Sequence, residues 1–236
     1  MIGGFALTRD GGMVFCADQG VFKRAADGAL RKLFDIPFRP GERFNDVTTD
    51  PAGRIFAGSL KRDRRDGALY RLENAKAPMP VIAGIGISNG MTFSMDERTF
   101  FHTDSRAMTI TRYDYDVNSG ALSAPQVFFQ SDRTLGLPDG ITIDTGDNLW
   151  AAFWGGACIR QINPRGRIIR EVKMPAKNIS SLVFGGRDFR DIYITSACEG
   201  GADMKKGLDA DGNFLGGPTY RYRSSAQGRL EWPANF

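Results

Sequence analysis

Residues 138–156 read PDGITIDTGDNLWAAFWGG: a proline, an acid and a glycine, an alternating apolar run, a polar turn and a second apolar run. Period-two alternation on either side of a turn rich in Asp, Gly and Asn is the pattern of two antiparallel strands. An aspartate at the entrance of such a buried strand is costly unless donors or a cation satisfy it. Four other segments share the arrangement: GGFALTRDGGMVFCAD from Gly3, NDVTTDPAGRIFAGS from Asn45, NGMTFSMDERTFFHTDS from Asn89 and SSLVFGGRDFRDIYITS from Ser180. With Asp139 included, successive starts lie 42, 44, 50 and 41 residues apart, the period of a four-stranded propeller blade.

Each unit continues into a third strand, as in GALYRLE from Gly67, MTITRYDYD from Met108, ACIRQINP from Ala157 and GPTYRYR from Gly217. The segments QVFFQ at 126–130 and IIREVKM at 168–174 fit a fourth. The expectation is an all-β propeller of antiparallel blades, five of them recognisable, in a single domain over residues 1–236. Composition agrees: 29 glycines, 11 prolines and 17 phenylalanines in 236 residues suit many strands joined by tight turns.

In a propeller the first strand of every blade starts at the same end of a central channel. Asn45, Asn89 and Asp139 hold equivalent starting positions, so their side-chain oxygens are expected to meet at the channel mouth. Amide and carboxylate oxygens without His or Cys select a hard cation. Calcium is the first expectation, with magnesium, manganese or zinc as alternatives.

Other polar residues read as structural. His102, the only histidine, lies in a strand with no partner for a zinc site. Asp50, Asp96, Asp144 and Asp188 recur at the turn after the first strand and are expected to bond turn amides. Trp150 and Trp154 read as packing between blades. The three cysteines, Cys16, Cys158 and Cys198, have no metal-like spacing and read as structural thiols of a reducing cytosol. Net charge is +4, and the basic run KRDRRD at 61–66 is interrupted by acids, which reads as a solvated loop rather than a nucleic-acid patch, so no nucleic-acid partner is expected. No membrane span or signal-peptide pattern is present, so a cytoplasmic protein is expected. DADGN at 209–213 misplaces the glycine of an EF-hand loop, and that reading is discarded.

Taken in order, the strings RFNDVTTDPAGRIFAGS, GISNGMTFSMDERTFFHTDS with RYDYD after it, LPDGITIDTGDNLWAAFWGGACIRQINPRGR and MPAKNISSLVFGGRDFRDIYITSA resemble the regucalcin (senescence marker protein), gluconolactonase and luciferin-regenerating-enzyme family of six-bladed propellers. The resemblance runs from about residue 3 to about residue 200. It implies metal-dependent hydrolysis of a sugar lactone. Asn89 of ISNG and Asp139 of PDG match metal ligands, Asp139 also serving as the base, and Arg43 and Asn45 of RFND match substrate-positioning residues.

The resemblance also implies a preceding segment that supplies most of the first blade, a ring-closing strand and a glutamate ligand, none of which this sequence holds. Glu199 and Asp18 are the candidates to replace that ligand, and the loop at 199–216 is expected to cover the mouth. The alternative reading is a catalytically weak or inactive metal- or ligand-binding propeller fragment. A protein-interaction scaffold without a metal is a third.

Overall fold

Five antiparallel sheets follow one another along the chain, each an up-and-down meander. The computed structural model describes residues 1–18, 20–36, 38–61, 66–198, 207–208, 212 and 214–236. The first sheet holds β1 (Ile2–Leu7), β2 (Met13–Ala17), β3 (Gly20–Arg24) and β4 (Leu30–Phe34). The second holds β5 (Glu42–Thr49), β6 (Ile55–Lys61), β7 (Gly67–Leu72) and β8 (Met79–Ile85). The third comprises β9 (Ser88–Phe93), β10 (Thr99–Asp104), β11 (Thr109–Asp116) and β12 (Ala121–Gln130). The fourth comprises β13 (Leu137–Ile143), β14 (Leu149–Trp154), β15 (Cys158–Ile162) and β16 (Ile168–Lys173). The last has three strands among the described residues, β17 (Ile179–Gly185), β18 (Asp191–Ser196) and β19 (Thr219–Arg223). The fold is therefore all-β and of the propeller class, its sheets the blades.

Burial explains the sequence pattern strand by strand. Second strands such as β6 and β14 are buried almost throughout, so they read as continuous apolar runs rather than alternations. Fourth strands such as β16 are exposed along most of their length and carry charge. The first hairpins close on aspartates as expected: Asp50 accepts from Arg54 N at 2.8 Å, Asp96 from Arg98 N at 3.1 Å and Asp144 from Gly146 N at 2.9 Å. The carboxylate of Asp188 pairs with the Arg223 guanidinium. Asp10, which the sequence reading passed over, has the same task in the first blade, accepting from Gly12 N and from Lys23 Nζ.

The chain divides into two compact units. The first comprises Met1–Ala107, Arg112–Gln126 and Glu231–Phe236, the second Met108–Thr111 and Val127–Leu230. In the first unit Phe56, Phe93, Phe100 and Tyr115 form an aromatic cluster, and Trp232 packs edge-on against Phe93. The closing residues run across the turns of this unit: Ala234 N donates to Leu7 O at 2.7 Å and Asn235 N to Gly53 O at 2.8 Å. In the second unit Trp150 is fully buried, meets Phe184 edge-on and donates from Nε1 to Asp144 Oδ2 at 2.9 Å. It is packing between blades, as its sequence position implied. Among the described residues no helix is long and apolar enough to cross a membrane.

Candidate functional site

Every first strand breaks register at the same point. The irregularity lies between Ile2 and Gly4 in β1, between Phe44 and Val47 in β5, and between Ile179 and Ser181 in β17. In β9 it lies opposite His102 and Thr103, beside Asn89, and in β13 between Pro138 and Ile141. Gly3, Asn45, Asn89, Asp139 and Ser180 are thus at or beside a β-bulge in each blade. A bulge bends its strand and re-aims the side chains it carries, which is why bulges gather at functional sites.

Within the first unit, neighbouring bulges touch. A Cβ on Gly3 would stand 2.4 Å from the carbonyl carbon of Phe44 and 2.8 Å from Asn45 N, so only glycine lets the two strands approach. Asn45 is then enclosed by partners: Arg43 Nη1 donates to its Oδ1 at 2.9 Å, while its Nδ2 donates to Ser88 O at 2.9 Å and to Asn89 Oδ1 at 2.6 Å. Asn89 Nδ2 continues the chain to Ser105 Oγ at 2.8 Å. Arg43, Asn45 and Asn89 are therefore brought together in one polarised row.

Asp139 belongs to the second unit. Its residue is about nine-tenths buried, in the β13 bulge between Pro138 and Gly140. A Cβ on Gly140 would meet Ser181 Oγ at 2.4 Å, so here too a glycine admits the neighbouring first strand. Asp18, a candidate replacement ligand, lies in the first unit, where its carboxylate pairs with the Met1 amine at 2.5 Å. Glu199, DADGN apart from Gly212, most of KRDRRD and most of the 199–216 loop lie outside the described residues.

Four residues near the row escaped the sequence reading. Asp46 shares the β5 bulge with Asn45; loss of water around its carboxyl raises its pKa to about 6, against the opposing hydrogen bond from Val47 N at 2.8 Å. Its signal was the acid of the RFND string. Ser88 joins the row through its carbonyl, and its Oγ shares a hydrogen bond of 2.7 Å with His102 Nε2. His102 is buried, and burial holds its pKa down to about 4 although Asp104 pulls it upward. The reading of His102 as a satisfied strand residue is right. Asp104 accepts from Gly86 N, Ile87 N, Arg106 N and Ala107 N at 3.0 to 3.2 Å, and Ser105 ends the row. No sequence signal marks these pairings.

A divalent ion has a specific donor chemistry to meet. Among the described residues no group of three or more His, Cys, Asp or Glu side chains is placed to hold a metal ion, and the oxygen ligands to weigh there include side-chain amides. Asn89 Oδ1 fits: an amide oxygen carries two lone pairs, and the Asn45 hydrogen bond takes one. The buried Asp139 carboxylate fits the same hard-cation preference within its own unit.

Five antiparallel meanders with a bulge at the entrance of each first strand place the chain in the β-propeller class. Residues 1–198 match the SMP-30/gluconolactonase/LRE-like region, and the chain belongs to that family. The chain is 36% identical to the pentonolactonase XacC of Haloferax volcanii over 233 residues, 98% of this chain and 79% of that protein. It is 40% identical to the regucalcin of Danio rerio over 174 residues, 72% of this chain and 59% of that protein. The solved structure of a calcium-binding regucalcin from Agrobacterium tumefaciens superposes with a TM-score of 0.90 at 26% identity, covering all of this chain and 80% of that one.

Proposed function

We propose that this chain hydrolyses a sugar lactone with the help of a bound divalent cation, calcium first. The observation that carries the reading is the row Arg43–Asn45–Asn89, which fixes the Asn89 amide so that its oxygen keeps a lone pair for a cation, in a chain that matches a pentonolactonase over 98% of its length. Asn89 and, by family resemblance, Asp139 would hold the ion. When bound, such an ion polarises the ester carbonyl of the lactone.

The remaining work falls to side chains. The carboxylate of Asp139 takes a proton from the attacking water as the ring ester opens. Arg43 presents a charged fork to the lactone's oxygens. Asn45 has spent both N–H groups on the protein, so it meets substrate only through the second lone pair of Oδ1, as an acceptor from a sugar hydroxyl.

A pH-indicator assay on gluconolactone and pentonolactones, with calcium, manganese, magnesium or zinc added and with chelator as control, tests this reading. Metal-dependent proton release that Asp139→Asn abolishes is the expected result. Absence of release above background in metal-loaded protein defeats it and leaves a non-catalytic binding propeller.

A further inference from the structure

We propose that His102 and Ser88 form a positioning pair that sets the orientation of the Asn45 amide and, through it, of Asn89. The connection begins at Ser88, the first residue of β9, which is held on three sides. Its Oγ is 2.7 Å from His102 Nε2, its main-chain oxygen accepts from Asn45 Nδ2 at 2.9 Å, and its side chain packs over Gly58 of β6, where any Cβ would come within 2.1 Å of Oγ. The chain leading into Ser88 is fixed as well, because the Asp104 carboxylate accepts from the amides of Gly86 and Ile87.

Asn45 has no spare donor to compensate for a shifted Ser88. Its two N–H groups go to Ser88 O and Asn89 Oδ1, and its oxygen accepts from Arg43. Turning the Ser88 peptide removes one of two acceptors for a single NH2 group, so the amide is held only by Arg43 and Asn89 and gains freedom to shift. Asn89 inherits that freedom, since Asn45 is the partner that fixes its oxygen. His102 touches none of the proposed reacting groups. It is buried in the β10 strand and lies parallel to the Phe100 ring with centroids 6.4 Å apart. It is a positioning residue, and a small misplacement of a positioned group costs rate.

The kinetic part of this inference rests on the lactonase reading; the geometric part does not. The test uses the full chain with His102→Leu, Ser88→Ala, their double mutant, and His102→Gln, whose side-chain amide supplies a nitrogen in place of Nε2. Two quantities are read: hydrogen exchange of the Asn45 and Asn89 side-chain amide resonances, and steady-state lactone hydrolysis. Amide exchange should speed up about tenfold or more in His102→Leu and in Ser88→Ala, with kcat down about tenfold and KM within about twofold. His102→Gln should stay within about twofold of the parent, and the double mutant should be no worse than either single change. Unchanged amide exchange in His102→Leu, or a His102→Gln protein as impaired as the leucine variant, overturns the inference. If the parent protein hydrolyses no lactone, the proposed activity fails, while amide exchange still decides the positioning role.

Discussion

Asn45 donates a hydrogen bond from Nδ2 to Oδ1 of Asn89 at 2.6 Å, across 44 residues of sequence. One blade period separates the two, so the bond joins equivalent bulges of adjacent blades. Replacing Asn45 by Ala should do more than remove a substrate contact. It leaves Ser88 O and Asn89 Oδ1 without their donor, and unsatisfied polar groups of this kind cost about 1–3 kcal/mol. Urea denaturation should report a loss in that range, and lactone hydrolysis should fall with it. A variant of parental stability would show that the bond contributes nothing to the fold.

That relationship was half legible in the sequence. The repeat grammar put Gly3, Asn45, Asn89, Asp139 and Ser180 at equivalent positions because apolar alternation and turn residues recur with the blade, and each is at or beside a bulge. Fourth strands were harder to see, since an exposed strand such as β4 or β8 has little apolar pattern to recognise. The Ser88–His102 and Asn89–Ser105 bonds were invisible for another reason. Their separations of 14 and 16 residues depend on hairpin register, which a bulge shifts, and no residue type announces it.

Acid titration should expose two opposed groups. His102 has a folded pKa of about 4 against 6.5 unfolded, so between these values the unfolded chain binds the extra proton and stability falls as pH falls. Asp46, at about 6 folded against 3.8 unfolded, does the reverse: the folded state binds the proton first and stability rises as pH falls. Over pH 4 to 6 the two slopes largely cancel. Removing one reveals the other. His102→Gln should gain about 2 kcal/mol relative to the parent between pH 7 and pH 5, by the linkage relation. Asp46→Asn should lose stability relative to the parent over the same interval, by a smaller amount because a folded pKa of about 6 lies inside the interval and only part of its titration falls there. Denaturant midpoints at three pH values check both, and a pH-independent difference for His102→Gln would refute a buried neutral imidazole.

Arg54 should be the least replaceable cation of the first unit. Its Nε donates to the fully buried Asp50 Oδ2 at 2.6 Å, and its remaining nitrogens reach Tyr115 Oη and the carbonyls of Val117 and Asn118. Tyr115 Oη donates to the same Asp50 oxygen at 2.7 Å, so the second and third blades share one charged network. Arg54→Ala strands a buried carboxylate and should cost about 3–5 kcal/mol. Arg54→Lys should recover little, because one ammonium cannot meet four acceptors on a planar fork. Adding Asp50→Asn to Arg54→Ala should restore part of the loss, since the stranded charge is then gone. Thermal or urea unfolding of the three variants decides it; equal stability of the single and double variants would mean that the charge is not the cost.

Gly58 should tolerate no side chain, for a reason that its own backbone does not supply. Its φ is not among the positive ones, so alanine meets no Ramachandran strain there. The obstacle is Ser88: a Cβ at position 58 would lie 2.1 Å from its Oγ and 2.6 Å from its Cβ, both too close to coexist. Gly58 also stands opposite the β5 bulge that holds Asn45, so displacing Ser88 moves the carbonyl on which Asn45 is anchored. Gly58→Ala should therefore cost about 1–3 kcal/mol through overpacking. The double change Gly58→Ala with Ser88→Gly removes both clashing atoms, so its loss should be smaller than the sum of the single losses, an interaction of about 1 kcal/mol or more. Hydrolysis should not return with stability in that double variant, because the Oγ that His102 holds is also gone. Strict additivity in denaturation would place the steric conflict elsewhere, and recovery of full activity would separate Ser88 Oγ from the aim of Asn89.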